Sequence, residues 1–143
     1  KIITYGSEIG SHSWQHDHLD RLKPEQISSD LEKTATQIYT SLKQEILFLR
    51  PPYGRSSKKV LKVAEKLGQK IVYWDVDPRD WENPSPEKII KTVMEQVKPG
   101  SIILLHEGRR NILAALPGII EALQARDLQP VSVSGLLSAT ELE

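Results

Sequence analysis

The feature that most constrains the fold is an alternation of short, β-branched apolar runs with longer stretches of helical periodicity. Residues 8–11 form a short candidate strand. Residues 24–42 read as a helix, because Ile27, Leu31, Ile38 and Leu42 share one stripe and Pro24 lies in the first turn, where its missing N–H is harmless. Residues 46–50 form a strand stopped by Pro51 and Pro52. Residues 57–67 are helical, with Gly68 as the stop, and 70–74 form a strand. Ser85 can cap a helix over 86–97, which Pro99-Gly100 ends. Residues 101–106 make a strongly apolar strand, 111–126 a helix that Pro117 can bend, 129–133 the last strand, and 135–139 a short terminal helix. The order β-α-β-α-β-α-β-α-β implies an α/β fold with a parallel sheet and right-handed crossovers. The runs are continuous rather than alternating, as suits strands covered on both faces. Five strands fit an open doubly wound sheet or most of a β/α barrel, and periodicity does not choose between them.

The chain of 143 residues is long enough for one domain, 1–143, with a real core. Lys plus Arg number 19 and Asp plus Glu number 19, so the formal net charge is zero. That balance argues against a nucleic-acid partner, which calls for a basic footprint, and against a polybasic membrane-surface protein. There is no cysteine, so a metal would have to use His, Asp or Glu. The longest apolar run, 102–105, is far too short to span a bilayer. The first residue is Lys1 rather than Met, and the opening residues read as the interior of a longer polypeptide.

Polar, aromatic and histidine residues cluster after the strands. His12-Ser13-Trp14-Gln15-His16 follows the first, Arg50-Pro51-Pro52-Tyr53-Gly54 the second, Asp75-Val76-Asp77-Pro78-Arg79-Asp80-Trp81 the third, and His106-Glu107 closes the fourth. In parallel α/β folds the C-terminal strand ends share one face, and that face carries the chemistry. Four such clusters are expected to converge on one pocket.

Each cluster has an ordinary reading beside a chemical one. His12 and His16 are four apart, and a helical turn would put both rings on one face for a single metal. Taken alone they are better explained as polar loop residues, and His18 as a solvated residue past the turn. Arg50 can hold a carboxylate, or make a surface ion pair of little worth. The Pro51-Pro52-Tyr53-Gly54 turn can aim an N–H at an oxyanion, or simply separate strand from helix. Asp75 and Asp77 read as a solvated acidic loop and Trp74 as core. Asp80 is a candidate for orienting a histidine, and Trp81 for a sugar platform or pocket wall. His106, ending an apolar strand at the chemical face, is a candidate general acid or base.

Together these clusters resemble the NodB-homology polysaccharide deacetylases, carbohydrate esterase family four. His12-Ser13-Trp14-Gln15-His16 resembles the family's HSxxH metal motif, and Arg50-Pro51-Pro52-Tyr53-Gly54 its RPPYG motif. Asp80-Trp81 is similar to the DW motif, and Leu104-Leu105-His106 to the final LxxH-type motif. The resemblance implies a distorted (β/α) barrel whose first strands are missing from these residues. It implies His12 and His16 as ligands of one divalent ion (zinc, or cobalt or nickel), and Arg50 as the residue orienting a base. It makes the Tyr53 N–H an oxyanion donor, Trp81 and Leu104 the slot for the acetyl methyl, and His106 the acid tuned by Asp80. The substrate implied is an acetylated polysaccharide, first peptidoglycan N-acetylglucosamine or N-acetylmuramic acid, then chitooligosaccharide or acetylxylan, at an extracellular or cell-wall location. The family's TFDDG-type motif, which supplies the base and a carboxylate ligand, matches nothing between Lys1 and Ser11. The expected partner is therefore an N-terminal segment of the same protein, present as a second chain. A non-catalytic sugar- or metal-binding domain and a cyclic-imide hydrolase are the competing readings.

Overall fold

The computed structural model describes residues 3–140. The chain divides after Tyr73 into two compact units, each with its own core.

The first unit opens with a 3-10 turn at Ile3–Tyr5 and a second at Leu19–Arg21, followed by α1, Pro24–Leu42. Pro24 begins α1, and the Gln26 carboxamide oxygen accepts from the Lys23 N–H at 3.0 Å, satisfying a donor at the helix start. Ile27 and Leu31 are fully buried, but Ile38 is half-buried and Leu42 exposed. The predicted stripe thus meets the core only in its first half. Lys43 turns left-handed, at φ 56°, and ends the helix. Next come β1, Phe48–Leu49, and α2, Lys58–Lys66, which buries Val60, Val63 and Ala64. Gly68 takes φ +71°, and the Gln69 N–H reaches Ala64 O at 2.8 Å while the Gly68 N–H reaches Glu65 O at 3.0 Å. This paired closure of a helix end needs the left-handed residue that glycine supplies. β2, Lys70–Ile71, then pairs parallel with β1. Leu19, Ile27, Leu31, Leu49, Val60, Val63 and Ala64 form the core between these elements.

In the second unit, Ser85 Oγ accepts from the Lys88 N–H and caps α3, Pro86–Gln96. α4 spans Arg110–Gln124, with Pro117 inside it. α3 and α4 bury Ile89, Val93, Ile112, Ala115, Ile119 and Leu123 against Val76. They approach closely at Gly118, where a β-carbon would lie 2.7 Å from Ile90 Cδ1. α5, Val133–Thr140, follows.

The parallel α/β class holds, with fewer and shorter strands than expected. Among the described residues the sheet has two strands, and residues 8–11 and 101–106 contribute only the parallel bridges Ser11–Leu49 and Val76–Ile103. The predicted strand over 129–133 is absent: the segment is irregular, and Val133 already starts α5. Pro130 cannot donate to a ladder, and the two valines beside it are exposed or half-buried rather than covered.

Candidate functional site

The first cluster is assembled by the strand pairing. The Ser11 N–H donates to Phe48 O at 2.8 Å, and the Arg50 N–H donates to Ser11 O at 2.9 Å. This register puts His12 beside Arg50, and His12 Nδ1 lies 2.6 Å from the Arg50 carbonyl oxygen. A carbonyl only accepts, so Nδ1 carries the proton and the neutral ring has its lone pair on Nε2. Metal-binding histidines are commonly set up in this way.

The loop from His12 to His16 is not the helical turn that would have placed the two rings by periodicity. Ser13 and His16 take φ 66° and 58°, left-handed values that turn the chain back on itself. The rings still meet edge to face, with centroids 4.9 Å apart. The loop amides are satisfied by side chains. Asp30 Oδ1 and Oδ2 accept from the Trp14 and Gln15 N–H groups at 2.9 and 3.0 Å, and Ser13 Oγ accepts from the His16 N–H at 2.8 Å. Lys33 Nζ lies 4.3 Å from the Trp14 ring centroid.

Tyr53 joins this cluster. Its turn, Pro52–Gly54, is tight, with Tyr53 itself at φ 60°. The Tyr53 ring meets His16 edge to face at 4.9 Å and stacks on His18 at 4.1 Å and 20°. His18 is therefore no solvated bystander, and its buried Nδ1 has no hydrogen-bond partner among the described residues. The Arg50 guanidinium is half-buried, and its pKa is lowered by desolvation.

The second cluster rests on one buried carboxylate. Asp80 is 1% exposed, in the turn Asp80–Glu82. Its Oδ2 accepts from the His106 N–H and its Oδ1 from His106 Nδ1–H, both at 2.8 Å. The 43%-exposed imidazole is thus oriented with Nε2 as its remaining nitrogen. The Leu104 N–H donates to Val76 O at 2.9 Å, which brings the approach to His106 alongside the approach to Asp80. Leu104 is buried, whereas Trp81 is exposed, with the Arg79 guanidinium 4.9 Å from its ring centroid. Asp75, expected to be solvated, is a structural acceptor for the Ile102 N–H at 2.7 Å and Ser101 Oγ at 2.8 Å.

Within the first unit, then, the fold gathers His12, His16, Arg50 and Tyr53, and within the second Asp80 and His106. Two imidazoles in contact, one with its tautomer fixed, fit two positions of a divalent metal's shell. Among the described residues, no group of three His, Asp or Glu converges as a metal site. Sequence reasoning missed Asp30 and His18. An acid on a helix face has no visible signal, but His18 carried one, lying two residues beyond a metal-spaced pair.

Residues 1–72 match the polysaccharide deacetylase family model. The chain is 35% identical to the chitooligosaccharide deacetylase of Azorhizobium caulinodans, over 88% of this chain and 68% of that protein. It is 34% identical to the peptidoglycan-N-acetylglucosamine deacetylase of Bacillus cereus, over 96% of this chain and 66% of that protein. The crystal structure of a CE4 family pseudoenzyme from Bacillus anthracis superposes with a TM-score of 0.91 at 29% identity, covering 95% of this chain and 48% of that one. The chain thus spans about two thirds of the two curated relatives and about half of the solved pseudoenzyme. With one relative above 30% identity matched over more than two thirds of its length, and the family model matching half of this sequence, the chain belongs to the polysaccharide deacetylase family.

Proposed function

We propose that this chain carries metal-ligating and acid-catalytic residues of a hydrolase that removes acetyl groups from an acetylated polysaccharide. N-acetylglucosamine or N-acetylmuramic acid of peptidoglycan is the preferred substrate, ahead of chitooligosaccharide and acetylxylan, and the site of action is the cell wall. In this reading His12 and His16 hold one divalent ion; zinc comes first, and cobalt and nickel also suit imidazole. When bound, the ion polarises the acetyl carbonyl and lowers the pKa of the attacking water. Arg50 orients the base, which is assigned to no residue of this stretch. The Tyr53 N–H donates to the oxyanion of the tetrahedral intermediate. Trp81 and Leu104 wall the acetyl methyl. His106 gives its Nε2 proton to the departing amine, while Asp80 holds Nδ1 and keeps the ring pointed.

The observation that carries this reading is the two-point grip of Asp80 on His106. An exposed imidazole oriented by a buried carboxylate is suited to acid–base chemistry. The likeness to a pseudoenzyme favours a second reading, a non-catalytic glycan-binding domain. Acetate release from peptidoglycan, chitooligosaccharide and acetylxylan, measured with the segment that carries the base present, separates the two. Release from peptidoglycan that His106→Ala suppresses is the expected result. Glycan binding with no acetate from any of the three would establish the non-catalytic reading instead.

A further inference from the structure

We propose that Asp30 is the positioning residue of the His12–His16 loop and sets that loop's affinity for a divalent cation, an inference that rests on the metal-ligand reading of the two imidazoles. Asp30 stands on α1, outside every motif that marks the family. Its two carboxylate oxygens are divided between two successive amides, Trp14 N–H at 2.9 Å and Gln15 N–H at 3.0 Å. These amides lie midway between the histidines. A single hydrogen bond would let the loop pivot, whereas two to consecutive amides fix both its place and its orientation. Only an acceptor with two equivalent oxygens can serve both; a carboxamide would set an NH2 group against one N–H.

The support behind Asp30 is firm. Ile27 and Leu31 on the same helix are fully buried, and Thr34 Oγ1 donates to the Asp30 carbonyl at 3.1 Å. One turn further on, Lys33 sits over the Trp14 ring, a second hold on the same loop from the same helix face. The loop needs such support, because two of its residues are left-handed and it has no regular ladder of its own. Partners of this outer kind typically govern metal affinity by about 10–100-fold.

The test is zinc affinity of the metal-free protein, by competition with a chromophoric chelator, for wild type, Asp30→Asn, Asp30→Glu, Val60→Ala and His12→Ala. Asp30→Asn should bind zinc about 10–100-fold more weakly. Asp30→Glu, which keeps both oxygens, should lose less. Val60→Ala weakens the core of the same unit from α2, away from both Asp30 and the loop, and should keep its affinity, which excludes general destabilisation as the cause. Unchanged affinity in Asp30→Asn beside a His12→Ala variant that binds no zinc would overturn the role of Asp30 alone. Wild-type affinity in His12→Ala would overturn the metal reading beneath it. Amide hydrogen exchange of the metal-free wild type decides the matter should Asp30→Asn not fold. Protected Trp14 and Gln15 amides are expected, and protection that appears only on adding zinc would show that the ion, not Asp30, orders the loop.

Discussion

In the first unit imidazoles are placed by backbone, and in the second by a side chain. His12 is set by the carbonyl of Arg50, and His16 by its own left-handed conformation and a neighbouring hydroxyl. His106 is held instead by both oxygens of buried Asp80. The backbone solution is strained: a left-handed non-glycine residue costs about 1–2 kcal/mol, and Ser13, His16 and Tyr53 are all of this kind. Charge-assisted hydrogen bonds of about 1.5–3 kcal/mol, such as those that Asp30 accepts from the Trp14 and Gln15 N–H groups, offset that strain. The comparison teaches that the proposed ligand pair depends on a web of surroundings, whereas the proposed acid depends on one residue.

The largest effect expected from breaking this contrast is in the first unit. His12→Ala should abolish metal retention, read as metal content after dialysis; unchanged content would remove His12 from the ligand set. His106→Ala should leave the metal in place while turnover falls by ~10²–10⁴-fold. Near-wild-type acetate release would take His106 out of the mechanism. Gly118→Ala probes the frame of the second unit alone, since the added methyl meets Ile90 at 2.7 Å. Ile90 Cδ1 is the end of a flexible side chain and can turn aside, while alanine gains about 1 kcal/mol of helix propensity, so stability in denaturant titration should change by less than about 1 kcal/mol and zinc affinity should stay untouched.

The smallest effect is that of Asp75→Asn, and it depends on pH. Burial by itself raises the Asp75 pKa, but hydrogen bonds from the Ile102 N–H and Ser101 hydroxyl overcome this and hold the carboxyl below its ordinary value. The native state therefore binds this proton less readily than the unfolded chain does. The stabilisation is complete above the ordinary carboxylate pKa of about 3.9 and is lost as pH falls through the lower native value. The melting temperature of Asp75→Asn should lie below that of wild type at neutral pH and converge with it in acid. A gap that persists in acid would show that the carboxylate charge is not what stabilises.

The helices were legible to within a residue or two because their signals are local. Pro24 and the buried pair Ile27 and Leu31 mark α1, Ser85 caps α3, and Gly68 closes α2. The strands were not, because pairing is set by partners distant in sequence. Residues 101–106 look like a full strand, yet among the described residues they form one bridge, at Ile103. Val131 and Val133 look alike in composition, but one is irregular and the other begins a helix. The candidate site was legible where motif residues meet through their side chains, as Asp80 and His106 do. It was illegible where an unremarkable residue acts through geometry. Asp30 looks like any helix-surface acid, and Asp75 reads as loop solvation until Ser101 and Ile102 are found against it.

The grip of Asp80 on His106 has a consequence for timing. One oxygen holds the residue's main chain and the other its ring, so both ends of a single amino acid are tied to one rigid anchor. The side-chain torsions of His106 are frozen when the chain folds, not when a substrate arrives. In the proposed role of acid, an imidazole held in this way has little rotational freedom left to surrender at proton transfer, so its readiness would be a property of the resting molecule.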